Sequence, residues 1–468
     1  MNASRRRRFV LWAAALLGFA SLVGAADGKS GRDESRPYAI TDVRVIDVEH
    51  GRASAPSTVW LRDGRIERIV PGHQAPPLGP HWIDGHGLYL VPGLIDLHVH
   101  LFNNASHRPP NTWAFPLFVA NGVTGVREMA TTPEEFTDVA QWRAAVDAGD
   151  LVAPHVLAAG TFPYAASDDA ARAIVHTAAR RGADFIKVFS EVTPQRWKAI
   201  LDAARAEKLP VDGHVPAAVT LDEAARAPQR TAEHLMQVYE ACSAHGQALI
   251  AARAGLDGEA AVALRDQQES EVLATFDGAA CTRAARAVAH AGPVQVPTVV
   301  IDYFDAARPH GDPASDPRWA SLRVDEQARW RRVLDAPQDA AAQALAERRW
   351  DVTCRIVRTF AAAGVPLLAG TDAPMPLVYP GYALHDELEQ LVACGLTPAL
   401  ALRAATSGAA DLLQRHDSGR IAPGARADLV LVEADPLSDI RALRRIHAVV
   451  LAGRVFDRAA LDALIAPP

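Results

Sequence analysis

The chain has 468 residues, of which 49% are hydrophobic, 22% charged and 6% aromatic, and its net charge is −7. This composition excludes a disordered, collagen-like or low-complexity chain, and the negative balance excludes a broad basic surface for nucleic acid. Four cysteines are too few for a disulfide scaffold or a set of zinc knuckles.

Arg5 to Arg8 form a basic run, residues 9–23 are apolar, and Gly24, Ala25 and Ala26 are small. A charged start, a short apolar core and a small-residue exit describe a secretory signal peptide over residues 1–25. The alternative is an uncleaved membrane anchor, because the apolar stretch nearly reaches spanning length. Cleavage would leave no second run long enough to span a membrane, and export, to a bacterial periplasm, is the expectation. An oxidising compartment permits disulfides. Cys242 and Cys281 flank one helical insertion and are the expected pair, with four free thiols as the alternative.

Residues 38–70 read as short strands, with Asp63-Gly64 forming a hairpin turn before the alternating Arg65-Ile66-Glu67-Arg68-Ile69-Val70. Residues 427–432 and 446–456 repeat that texture near the C-terminus. Neither end alone has enough strands for a stable sheet core, so both are predicted to build one small β-sandwich, from residues 37–91 and 406–460. Between them, apolar runs at 91–97, 123–126, 152–158, 185–189, 209–211, 294–300 and 365–369, with a weaker one at 231–234, alternate with helix signals. Thr132-Pro133-Glu134-Glu135 reads as a capping box, and Thr193-Pro194 and Thr397-Pro398 as cap-then-proline entries. Eight strands with helices between them predict an α/β fold, a (β/α)₈ TIM barrel over residues 92–405. Residues 241–292 and 302–350 are predicted helical insertions over the barrel mouth.

Catalytic residues of such barrels stand at the C-terminal ends of several strands. His98 and His100 end the first run, and period-2 spacing turns both to one side of a strand. Lys187, His214, His234 and Asp372 end four others. Any one of these alone reads as a satisfied core residue; as a set, chance placement is improbable. Imidazole and carboxylate ligands suit zinc, manganese or iron. A lysine among them needs desolvation to become neutral, after which it can add CO2 to form an anionic carbamate. The alternative pairs Lys187 with an acid such as Glu128.

The ordered motifs Val91-Pro92-Gly93-Leu94-Ile95-Asp96-Leu97-His98-Val99-His100, Gly122-Val123-Thr124-Gly125-Val126-Arg127, Asp184-Phe185-Ile186-Lys187-Val188, Ala232-Glu233-His234 and Ala369-Gly370-Thr371-Asp372 run through the chain. With the tail from Ala404 to Pro436, they resemble the amidohydrolase superfamily, specifically its imidazolonepropionase-like and dipeptidase-like metal hydrolases. The resemblance implies two divalent metal ions, of which zinc is the expectation. His98, His100 and Asp372 would hold one, His214 and His234 the second, and a Lys187 carbamate would bridge them. It implies a metal-bridged hydroxide oriented by Asp372, hydrolysing an amide or peptide C–N bond of a small molecule, with a dipeptide or N-acyl amino acid as the leading substrate. A mononuclear deaminase, a lactonase or esterase, and a non-catalytic binding protein are the alternatives; homo-oligomerisation stays open.

The chain departs from the superfamily pattern at Glu128-Met129, where many relatives carry aspartate and a small apolar residue. Glu128 is therefore a candidate substrate-binding group or a structural salt bridge. Arg127 either recognises a substrate carboxylate through its bidentate fork or holds the barrel rim. His155 and Tyr239 are candidate pocket residues, with core or rim packing as the alternative.

Overall fold

A computed structural model describes residues 38–73, 82–102, 109–163, 165–308, 311–337 and 339–466. The export signal predicted over residues 1–25 lies outside the described residues. Among those residues no helix is long and apolar enough to cross a membrane.

Strands from both ends of the chain share one sheet. Its members are β1 (Tyr38–Asp47), β2 (Arg52–Arg62), β3 (Arg65–Pro71), β4 (Trp82–Asp84), β5 (Tyr89–Pro92), and, much later, β13 (Leu429–Val432), β14 (Ile446–Leu451) and β15 (Arg454–Asp457). They lie in the order β15-β14-β13-β5-β1-β2-β3, with β4 also on β1. The seam is β5, parallel to β1 and antiparallel to β13, where Leu429 faces Pro92 and Val432 faces Tyr89. The hairpin predicted at Asp63-Gly64 is present, with φ of +49° and +70°. Positive φ at both turn residues matches the right-handed twist of the flanking strands. A separate apolar core, including Ile40, Val59, Leu90, Leu429 and Val450, belongs to this sheet.

The apolar run 91–97 is not one strand. The chain leaves the composite sheet at Gly93 and re-enters as β6 (Leu94–Val99), the first barrel strand. A Cβ at Gly93 would stand 2.0 Å from Thr124 Oγ1, so only glycine fits between the two sheets. Five parallel strands follow in the order β10-β9-β8-β7-β6: β7 (Val123–Thr131), β8 (His155–Thr161), β9 (Phe185–Val188) and β10 (Val211–Gly213) beside β6. A parallel pair, β11 (Thr231–Glu233) and β12 (Val294–Val296), continues the circuit. Arg230 N donates to Val211 O at 2.7 Å, joining β10 to β11. On the far side, Leu368 N donates to Gln295 O and Leu97 N to Ala369 O, at 2.9 and 3.0 Å, so residues 365–369 bridge β12 to β6. The fold is mixed α/β of TIM-barrel type. The predicted eighth strand makes only isolated bridges, because Pro366 has no N–H to give a ladder.

Two further boundaries differ from expectation. The run 294–300 stops at Val296, since Thr298 takes φ +48° and starts the helix Val299–Ala306. The helix expected at Thr132 begins at Phe136, while Glu135 turns back to accept from Thr132 N. Thr193 and Thr397 cap their helices as predicted, accepting from Arg196 N and Leu400 N. The insertions are helical, chiefly Gly258–Ala274, Gly278–Ala291, Val324–Leu334 and Ala340–Ala362.

Candidate active site

The structure gathers six predicted residues at the C-terminal ends of the barrel strands. His98 Nε2 and His100 Nε2 lie 3.1 and 2.8 Å from the same Asp372 oxygen, Oδ1. Lys187 Nζ is 3.4 Å from His98 Nε2. The His234 ring centroid stands 4.6 Å from that of His98 and 4.9 Å from that of His214. Asp372 reaches in from a φ of +67°, a conformation aspartate tolerates better than most residues.

Three imidazoles have their Nδ1 atoms committed. His98 Nδ1 donates to Glu233 Oε2 at 2.9 Å. The Thr298 hydroxyl gives its proton to Pro297 O at 2.8 Å, so it can only accept from His234 Nδ1, 2.7 Å away. Ser190 Oγ donates to Met236 Sδ and accepts from His214 Nδ1 at 2.9 Å. Each of these rings therefore presents a bare Nε2 lone pair to the cluster. The β-branched Thr298 held at positive φ is backbone strain spent at this site.

Burial lowers the pKa of His98 and takes that of His234 down to about 3 and that of His214 well below its usual value, keeping these rings neutral. Burial also lowers Lys187, to about 8, against the pull of Glu233 and Asp372.

His98, His100 and Asp372 form a group able to hold a metal ion. Asp372 Oδ1 is buried and has no hydrogen-bond partner although two imidazole nitrogens face it. Two imidazole nitrogens and a carboxylate oxygen, all within 4.8 Å of one another, fit a divalent cation.

The remaining predicted residues lie elsewhere. Arg127 has no exposed side chain and is bound to Asp212 and Glu233, both at 2.9 Å, so its fork is closed to a substrate carboxylate. Glu128 accepts from Leu101 N and Ala130 N rather than from Lys187, and burial raises its pKa to about 7. Tyr239 donates to Asp302 Oδ2 at 2.7 Å and meets Thr353 at the same distance, tying β11's following helix to the insertions. His155 opens β8 at the opposite end of the barrel, against Arg426 and Asp428. That end also carries a cavity of about 620 Å³ bounded by Asp184, Lys208, Arg230 and Arg415. Its guanidiniums are committed, Arg230 to Asp212 and Arg415 to Leu157 O, and none of the six clustered residues lines it.

Sequence reasoning gave no role to Asp96, Glu233, Ser190 or Thr298. Asp96 accepts from Thr371 Oγ1 at 2.7 Å and from His98 N at 3.1 Å, fixing both flanks of the His–Asp pair. An acid within an apolar run was the available signal for Asp96; Glu233, among polar neighbours, and the two hydroxyls had none.

Residues 89–456 match the amidohydrolase family. The chain therefore belongs to that family, a class of hydrolases acting on C–N bonds. It is 40% identical over 116 residues to an imidazolonepropionase from Anaeromyxobacter sp. (strain K), covering 23% of this chain and 26% of that protein. It is 42% identical over 78 residues to adenine deaminase 2 of Rhizobium johnstonii, covering 17% of this chain and 12% of the relative. These curated relatives are thus matched over about a quarter of their length or less. Among solved structures, a bottromycin amidohydrolase superposes with a TM-score of 0.68 at 25% identity, over 92% of this chain and 90% of its own. A Xaa-Pro dipeptidase with bound methionine has a TM-score of 0.64 at 18% identity, over 90% and 100%, a likeness of fold.

Proposed function

We propose that the chain is an exported, binuclear metal-dependent hydrolase of an amide or peptide C–N bond, with a dipeptide or N-acyl amino acid as substrate. The observation that carries this is the gathering of His98, His100 and Asp372 about one point, with the buried Lys187 amine beside them and the His234 and His214 rings next in line. His98, His100 and Asp372 would hold one metal, His214 and His234 the other, and Lys187, as a carbamate, both. When bound, such ions supply an acidified water and polarisation of a carbonyl oxygen. Glu233, Thr298 and Ser190 keep the imidazoles oriented. Asp372 would serve as the base that accepts a proton from the attacking water and returns it to the leaving nitrogen. With Arg127 closed off, a substrate carboxylate has to be met by other groups of the mouth. Two disulfides, Cys242–Cys281 and Cys354–Cys394, support an oxidising compartment. The proposed units are a barrel over 92–405 and a small β-sandwich domain from 37–91 and 406–460.

The test is metal analysis after gel filtration, followed by a panel of dipeptides, N-acyl amino acids and lactones. Two equivalents per chain with hydrolysis of one amide class is expected; full activity with a single equivalent overturns the binuclear reading. A second reading, deamination, is favoured by the adenine deaminase matches, and ammonia release from aminopurines would distinguish it.

A further inference from the structure

Arg127 stands in β7 with its guanidinium divided among the neighbouring strands. Nε donates to Leu97 O at 2.5 Å, Nη1 to Asp212 Oδ2 at 2.9 Å and more weakly to Thr231 Oγ1 at 3.4 Å, and Nη2 to Glu233 Oε1 at 2.9 Å. Each main acceptor sits just before a clustered histidine. Leu97 precedes His98, Asp212 stands two residues before His214, and Glu233 precedes His234. Glu233 uses its other oxygen to accept from His98 Nδ1. The ring of Phe185, two residues before Lys187, lies 5.6 Å from the guanidinium carbon. One planar fork thus touches four strands that deliver ligands.

Stability alone does not account for such a group. A buried ionic network is often no more stable than apolar residues of the same volume, and its best-attested use is to fix register. Arginine suits that use because its donors leave a rigid plane in set directions, which an ammonium cannot imitate.

We propose that Arg127 is the positioning residue of the imidazole cluster: it sets the mutual register of the strands bearing His98, His214 and His234, and through Glu233 holds His98 in the Nδ1–H tautomer. The consequence for metal affinity rests on the functional reading above, whereas the tautomer is a property of the metal-free chain. The two are therefore separable.

The experiment records long-range proton–nitrogen spectra of the full, metal-stripped chain labelled with ¹⁵N-histidine, beside thermal melts. In Arg127→Met the fixed Nδ1–H pattern of His98 should average between tautomers. Cobalt affinity, measured by chelator competition, should fall about 10–100-fold, and Arg127→Lys should not restore either. A wild-type His98 pattern in a folded Arg127→Met chain overturns the proposal. If that variant does not fold, Glu233→Gln should disturb His98 and spare His214, and Asp212→Asn the reverse; silence in both also overturns it. A wild-type chain that binds no cobalt, while Arg127→Met still shifts His98, sinks the metal reading and leaves the positioning role standing.

Discussion

A histidine can offer a lone pair only where its other nitrogen has somewhere to put its proton, and here that somewhere is a carboxylate on a different strand or a hydroxyl just beyond one. Thr298 serves His234 because its own proton is held by Pro297 O. Lys187 is the complementary case, an amine whose burial brings deprotonation within reach of neutral pH. Lys187→Ala should cut turnover by orders of magnitude, with partial rescue by short carboxylic acids in a steady-state assay; wild-type turnover would remove the carbamate. Asp372→Asn should lose about 10²–10⁴ in kcat, the usual worth of a positioned base, and an unchanged kcat would exclude that role. At this scale the six clustered side chains were legible because ionisable residues interrupt apolar runs at strand ends. Arg127 was legible as important but not as enclosed, since nothing local shows that Asp212 and Glu233, far along the chain, close around it.

Elements meet at points where one residue decides the geometry. Gly93 lets the chain step from the composite sheet into the barrel, and Gly93→Ala forces a methyl into Thr124. That overpacking should cost about 1–3 kcal/mol in chemical denaturation; no loss would mean the two sheets can slide apart there. Glu387, in the helix Tyr382–Ala393, accepts from Val300 N at 2.8 Å and so caps the helix that follows Thr298. Its Oε1 has no partner, and burial holds its pKa well above the usual carboxylate value against the Val300 and Val299 N–H groups. A raised folded pKa gives stability that is complete below the unfolded value near 4.5 and is lost as pH rises, at up to about 1.4 kcal/mol per pH unit. Melting temperature should therefore decline from mildly acidic to alkaline pH, and Glu387→Gln should flatten that decline. Equal slopes would place the effect elsewhere. The alternation of the barrel and the helix entries at Thr193 and Thr397 were readable from periodicity and caps. The break at Gly93 was not, because a run buried in two successive sheets shows one unbroken apolar signal.

The whole molecule is fastened at two levels. Cys242–Cys281 joins the end of the helix Val238–Ala241 to Gly278–Ala291, and Cys354–Cys394 joins Ala340–Ala362 to the turn after Tyr382–Ala393, closing loops of 39 and 40 residues. Loops of that length predict a loss of about 2–5 kcal/mol when either pair is replaced by serine, read by calorimetry under oxidising conditions; an unchanged melt would show the insertions hold without them. The first pair followed from its placement around an insertion; the second joins segments whose proximity only the folded barrel creates. The shared sheet carries a further consequence for how the chain comes into being. Because β5 needs β13 on its free edge, and that partner is translated only after the entire barrel, the early strands emerge from the ribosome with an open edge for tens of seconds at ordinary elongation rates. An exposed edge is a template for mispairing. The free edge of β5 thus has to stay open, while β1, β2 and β3 can already pair with one another, until β13 arrives.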